Sequence, residues 1–421
     1  MSAENEESFG PSTSKNLGSL AVVLGLICLA STIYLGCFHA RGAFLNDLDM
    51  HVWYASGLAW WAGDSPYSHA VFTEQWVNQF GSSHDDTSFC LAPTMLPLSL
   101  TLGAMPWEVA RWVMRAINVA CLVGTVLVLW RLLREMRPRS ESEGKRIFFL
   151  AAALALPAAT ITLHQGQLAL IMGFGVALSW LGLHQNRSWL VILGFYFGSY
   201  QPQAAMVPLL FLIALYRHKS TAYGLGVVLA LSLLVLLWTT PAQFAIDLQQ
   251  SLEIHMNQKF NQPYHYDSIA GLIGDTPVGR LAMALGLVLG CGLALWIGHV
   301  ARATDSPTQK VRLMQIVIAL ATVTMPLHHY DFTIDMILLA TAWVLGSTRR
   351  ALILCMLVYA HGRSYWIGHI FNGHVLWRLD LLGDPMTAAS HAASVMGVAV
   401  LAFLTYCWVA DRRSTQAMLS T

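Results

Sequence analysis

Apolar stretches about as long as a bilayer is thick recur along this chain, and they constrain its fold more than any other feature. The first, Leu17–Cys37, runs for about 21 residues, enough for a helix to cross a ~30 Å hydrocarbon core. It is longer than a signal-peptide core and has no convincing small-x-small cleavage site, so it reads as an uncleaved first span. Further spans are expected at about 109–133, 147–163, 168–184, 189–200, 203–216, 222–240, 281–301, 313–327, 334–347, 350–360 and 390–410, twelve in all. Charged residues make up 11% of the chain against about 25% in an ordinary soluble domain. The fold class expected is therefore an all-α, polytopic membrane protein.

The segment 89–105 is apolar but broken by Pro93 and Pro97. Counted as a span, it would put the basic cluster Arg131–Arg139 on the same side as the loop that precedes it. Lying along the interface, it puts that cluster in the cytoplasm, and every later loop falls into place. Of the 24 Lys and Arg, 17 then lie on the cytoplasmic side and 7 outside: Arg41, Arg111, Arg115, Lys259, Arg280, Arg363 and Arg378. Both termini are expected in the cytoplasm. Residues 1–16 and 411–421 are read as tails, the first disordered, around one transmembrane domain at 17–410.

Polar residues collect in outer islands at 40–107, 164–167, 241–280, 328–332 and 361–389. The cytoplasmic loops are short and contain no G-x-x-x-x-G-K-[ST], which excludes a P-loop motor. A net charge of +1 argues against a nucleic-acid partner. The seven cysteines are scattered without metal-type spacing and form no disulfide framework.

Asn46-Asp47-Leu48-Asp49-Met50-His51 places two carboxylates where the first span leaves the membrane. Acids at such a position are expensive unless they have a function. Two residues apart, they cannot both face one site unless the backbone bends. Both acids can equally well solvate the start of a helix, with Asp47 as its N-cap.

His328-His329-Tyr330-Asp331 follows Met325-Pro326 at the outer end of a span. It reads either as an interfacial anchor or as an acid/base group. Adjacent histidines diverge on a helix, which disfavours metal ligation. His164-Gln165-Gly166-Gln167 is a polar turn between spans, and Gln167 can face a cavity. In Tyr200-Gln201-Pro202-Gln203 the proline breaks a short helical hairpin, and irregular backbone at membrane depth must be buried or line a wet cavity. The loop Gln258–Asp267 is rich in aromatics and amides, a composition that suits sugar recognition or an ordinary surface loop.

In this order, the islands resemble the polyprenyl-phosphate-mannose-dependent α-mannosyltransferases, glycosyltransferase family 87 of the GT-C superfamily. The resemblance rests on Asp49-x-x-x-Trp53-Tyr54-Ala55-Ser56 with Ala62-Gly63-Asp64-Ser65-Pro66-Tyr67, then Pro93 with Leu96-Pro97-Leu98 and Gly166-Gln167. It continues through Tyr200-Gln201-Pro202-Gln203 and Met325-Pro326 to Tyr330-Asp331. It runs from about residue 40 to 350. The sequence departs from the pattern at Gln201, where the family usually has Lys, and in having only Pro93 where the family has a Pro-Pro pair.

The resemblance implies a GT-C-type transferase using a polyprenyl-phosphate-hexose donor, with mannose the expected sugar and a lipid or glycan as acceptor. The reaction is expected at the extracytoplasmic face of the plasma (inner) membrane. Asp49 is expected as general base, with Asp47 the weaker candidate, and His328 or His329 as catalytic partner. The expected substrate-contacting set is Arg41, His51, Tyr54, Tyr67, Arg111, Arg115, Gln167, Gln201, Gln203, Lys259, Tyr330, Asp331 and Arg363. No cofactor is expected, and nothing in the sequence supports a divalent metal. The alternative from another class is a lipid-linked sugar flippase or a small-solute transporter.

Overall fold

The computed structural model describes residues 11–38, 48–81, 88–90, 92–136, 143–258, 266–274, 276–328, 331–362 and 385–419. Arg41, Asp47, Lys259, His329, Tyr330 and Arg363 lie outside the described residues. Among those described, every regular element is helical.

In chain order the helices are α1 (Pro11–Cys37), α2 (Leu48–Ala62), α3 (His69–Phe80), α4 (Leu96–Gly103), α5 (Trp107–Met136) and α6 (Glu143–Leu154). They continue with α7 (Pro157–Gln165), α8 (Ala169–His184), α9 (Ser188–Gly198), α10 (Pro202–Tyr216), α11 (Lys219–Leu233) and α12 (Pro241–Asn257). The last are α13 (Ile269–Ile273), α14 (Pro277–Arg302), α15 (Pro307–Thr324), α16 (Met336–Thr341), α17 (Thr348–Gly362) and α18 (Pro385–Leu419). Helix α1 therefore begins inside the segment expected as a disordered tail, and α18 continues into the C-terminal one. A span that has already nucleated extends by single hydrogen bonds through polar turns.

Among the described residues, five helical stretches are long and apolar enough to cross a membrane: Trp107–Met136, Glu143–Gln165, Lys219–Leu237, Pro277–Arg302 and Ser390–Arg412. Shorter apolar helices lie at Val22–Cys37, Ala169–His184, Ser188–Gly198 and Pro202–Tyr216. The chain is a multi-pass membrane protein. Large apolar side chains such as Leu229, Val288 and Trp296 stand on its surface at 61%, 67% and 62% exposure, as a lipid-facing wall requires. Helix α8 is apolar all round and is buried along nearly its whole length, with Trp180 fully enclosed, so it forms the axis of the bundle.

Two departures from regular spans position the site. The 89–105 segment folds as a 3-10 turn, Pro93–Met95, followed by the eight-residue α4. Eight residues reach about 12 Å, too short for a crossing. Helix α4 instead packs so tightly on α2 that a Cβ at Gly103 would sit 2.5 Å from the Gly57 carbonyl carbon.

The expected span at 334–347 is not one regular helix but a buried chain of 3-10 turn (Asp331–Asp335), α16 and a second 3-10 turn (Ala342–Leu345). Side chains compete for its backbone. Gln315 Nε2 donates to the Thr341 carbonyl at 3.0 Å, and the Arg312 guanidinium donates to the Val344 carbonyl at 3.1 and 3.2 Å. Paired in this way, the irregular backbone can lie inside the bundle.

A second, aromatic core sits beside the bundle. Trp60, Tyr67, Phe72, Trp76 and Phe89 pack with Trp238 and Phe244, joining α2, α3 and α12. Trp238 Nε1 donates to the Trp60 carbonyl at 2.9 Å, and Ser251 Oγ to that of Tyr67 at 2.8 Å. This layer fixes the direction in which α2 presents its first turn.

Candidate active site

Asp49 lies in the first turn of α2, and Trp53 stands one turn later on the same face. Trp53 Nε1 donates to the Gly166 carbonyl at 2.9 Å, which docks this face on the turn between α7 and α8. Gly166 ends α7 with φ of +68°, a left-handed conformation that favours glycine, and a Cβ there would lie 2.8 Å from Met50 Cβ. Glycine thus allows both the turn and the close approach of α2.

The next residue, Gln167, is 3% exposed and is held at both ends. Its carbonyl accepts from Asn118 Nδ2 at 2.9 Å, and its Oε1 accepts from Gln201 Nε2 at 3.4 Å. Its side-chain amide hydrogen-bonds the Asp49 carboxylate. Gln201 comes from the short turn between α9 and α10, whose neighbour Ser199 donates to Thr94 Oγ1 at 2.9 Å. The hairpin tip is thereby joined to Gln167 through Gln201.

Asp331 brings a second carboxyl within electrostatic reach of Asp49. Thr333 Oγ1 donates to the Ala169 carbonyl at 2.8 Å and pins the 3-10 turn against the start of α8. The His328 backbone N–H donates to Asp331 Oδ2 at 3.0 Å, while Oδ1 is buried with no hydrogen-bond partner among the described residues. Asp267 follows, its backbone N–H donating to the Leu327 carbonyl at 2.8 Å and its carboxylate hydrogen-bonded to Ser390 of α18. The Tyr266 and His328 rings meet at 5.0 Å.

Electrostatically the three carboxyls form a chain. Asp49 is half-buried as a residue, but protein atoms surround its carboxyl. Burial pushes it up to about 7, and the Gln167 hydrogen bond opposes the rise. Asp331 is pushed up to about 7 by burial, against the His328 N–H and with the Asp49 charge adding to the rise. Burial raises Asp267 well above the usual carboxylate range, with Ser390 opposing and Asp331 reinforcing. Near neutral pH, then, this set holds both a carboxylate able to accept a proton and a carboxylic acid able to donate a hydrogen bond.

A cation stands behind the turn. Arg115 is 6% exposed, lies 4.8 Å over the Trp112 ring and is within electrostatic reach of His164. It is one turn from Asn118 on α5, so both face the His164–Gln167 segment. Among the described residues, no three His, Cys, Asp or Glu side chains converge as a metal-binding set.

The structure thus brings Asp49, Gln167, Gln201 and Asp331 together, with His328 and Arg115 adjoining. Other residues expected at the substrate are engaged elsewhere. The His51 ring stacks on Trp107 at 4.5 Å and meets the edge of Phe80 at 4.2 Å. Tyr54 Oη donates to the Met105 carbonyl at 2.8 Å. Tyr67 is fully buried in the aromatic core. Arg111 pairs with Glu108 at 2.7 Å. Gln203 sits half-buried in the first turn of α10.

These assignments took aromatic and polar character in an outer loop as a sign of substrate contact, whereas packing against partners distant in sequence uses it. Two residues escaped the sequence reading. Asn118 carried a signal, an amide inside an apolar helix. Asp267 was visible only as the end of an aromatic loop.

Among known families, the model of glycosyltransferase family 87 matches residues 89–326, more than half of the chain. The match contains Arg115, Asn118, Gln167, Gln201 and Asp267; Asp49 precedes it, and His328 and Asp331 follow it. No curated protein matches the chain, and no solved structure does.

Proposed function

Because the chain belongs to glycosyltransferase family 87, it is a membrane glycosyltransferase, and we propose that it moves a hexose from a polyprenyl-phosphate donor to a lipid or glycan acceptor. The observation that carries the reading is Asp49, a carboxyl raised to about 7 and aimed by Gln167. A base with a pKa near the working pH combines availability with driving force for proton transfer.

In the proposed reaction the acceptor hydroxyl gives its proton to the Asp49 carboxylate as its oxygen attacks the anomeric carbon. The bond from that carbon to the phosphate oxygen breaks, and polyprenyl phosphate leaves with the electron pair. One displacement inverts the anomeric configuration, so a β-linked donor gives an α-linked product. Asp331 in its protonated form, which burial and the Asp49 charge favour, donates a hydrogen bond to the phosphate or to a sugar hydroxyl. Arg115, buried behind the Gly166–Gln167 turn, is the cation assigned to the phosphate. His328 positions Asp331 through its backbone N–H. Gln201 contributes a neutral hydrogen bond to Gln167 where the family usually has a cation.

The charge pattern supports a topology of twelve spans with both termini cytoplasmic and this site facing outward, where a lipid-linked sugar is within reach without a nucleotide. Mannose is the proposed sugar, the plasma membrane the proposed location, and no metal enters the scheme.

The test is direct. Purified protein is incubated with polyprenyl-phosphate-mannose, or its glucose counterpart, and a lipid acceptor. Release of polyprenyl phosphate with the sugar on the acceptor is the predicted outcome. Movement of intact donor across a vesicle membrane without such release would instead establish the flippase reading.

A further inference from the structure

Helix α15 has Met325–Leu327, the approach to Asp331, at one end. Its 18 residues span about 27 Å, so its start lies at the opposite end of the bundle. There it opens on a cavity of about 740 Å³ lined by Arg312, Arg350 and Arg412 and by one carboxylate, Asp411. Asp411 bridges two of the arginines, accepting from Arg350 Nη1 at 2.8 Å and pairing with Arg312. Among the described residues, three guanidiniums around one carboxylate leave an excess of two positive charges. Arg412 is exposed and lies 4.6 Å over the Trp408 ring.

Two further features point the same way. Ser306, whose Oγ caps α15 by accepting from the Gln309 N–H, and Ser347, just before α17, both line the cavity, so the starts of two helices border it. Leu345 and Trp408 give it an apolar edge, and tryptophan suits the membrane–water boundary. The Arg312–Asp411–Arg350 bridge by itself reads as a pin joining α15, α17 and α18. A pin needs neither Arg412 nor an open cavity between two helix starts.

We propose that this cavity binds a phosphate-bearing anion at the membrane face opposite the candidate active site. The guanidiniums of Arg350 and Arg412 supply charge-assisted hydrogen bonds to phosphate oxygens, and Trp408 packs on the group that carries it. An anionic lipid head group and a free phosphate share this chemistry. The inference stands independently of the transfer reaction.

The experiment uses the full-length protein in detergent, titrated separately with short-chain phosphatidylglycerol, short-chain phosphatidylcholine and inorganic phosphate. Thermal unfolding and native mass spectrometry are the readouts. The expected result is a saturable rise in melting temperature with phosphatidylglycerol or with phosphate, none with phosphatidylcholine, and weakening at high salt. Protection by the lipid alone assigns a head group; protection by inorganic phosphate at similar concentrations assigns a free anion. Arg412→Gln, at an exposed position, should leave the ligand-free melting temperature unchanged and weaken binding on the order of tenfold; Arg350→Gln should weaken it as well. Equal protection by phosphatidylcholine, no protection by either anion, or wild-type binding in both variants would overturn the proposal.

Discussion

Gln167 hydrogen-bonds the Asp49 carboxylate while its Oε1 accepts from Gln201 Nε2, so one buried amide joins the first turn of α2 to the tip between α9 and α10. The bond favours the ionised form of Asp49 and opposes the rise caused by burial. Gln167→Leu keeps the volume and removes the bond. Its transfer rate should rise with pH along a limb displaced upward from about 7, with a larger deficit at pH 7 than at pH 9. A pH–rate profile decides it, and an unshifted limb contradicts the assignment.

Asp331 should leave the same limb in place. Its carboxyl is raised by burial and by the charge on Asp49, so it is the neutral partner when Asp49 ionises. Asp331→Asn removes no charge from Asp49 at that point, so the limb should stay near 7 while the maximal rate falls. Stability depends on the same carboxyls. Raised carboxyls stay protonated in the folded chain between pH about 4 and about 7, where the unfolded chain gives its protons up. That contribution is complete below the unfolded pKa and is lost as pH rises through the folded one. The melting temperature of the wild type should therefore fall with pH across this window, and more gently in Asp331→Asn.

Gly166→Ala tests the docking of α2. The left-handed backbone alone costs an L-residue roughly 1–2 kcal/mol, and the added methyl would meet Met50 Cβ at 2.8 Å. The variant should unfold at lower temperature and lose transfer activity beyond the loss in folded fraction, because Asp49 shifts with α2. Unchanged unfolding and activity would show that the α2–turn contact does not set the site.

The sequence displayed the two ends of this site more clearly than their meeting. Pro93 and Pro97, with the Arg131–Arg139 cluster, were enough to read 89–105 as interfacial, and α4 is indeed too short to cross. Apolar length placed most of the helices because it is a local property, as are the proline breaks.

The electrostatic coupling of Asp49 with Asp331 is not local. It depends on Thr333 reaching the Ala169 carbonyl, which no spacing in the chain announces. For the same reason His51 and Tyr67 looked free to meet substrate, although Trp107, Phe80 and Phe244 enclose them. The segment 334–347 read as an ordinary span because its apolar content is high. Its breaks come from Gln315 and Arg312 on a neighbouring helix.

The most direct test of the account is the transfer rate of Asp49→Asn with a polyprenyl-phosphate-hexose donor. The substitution removes the proton acceptor and keeps the shape, so Gln167 and Trp53 hold α2 in place. The account predicts a folded protein with a wild-type unfolding transition and a transfer rate lower by about 10²–10⁴-fold. A rate equal to that of the wild type, in protein that unfolds normally, would contradict it.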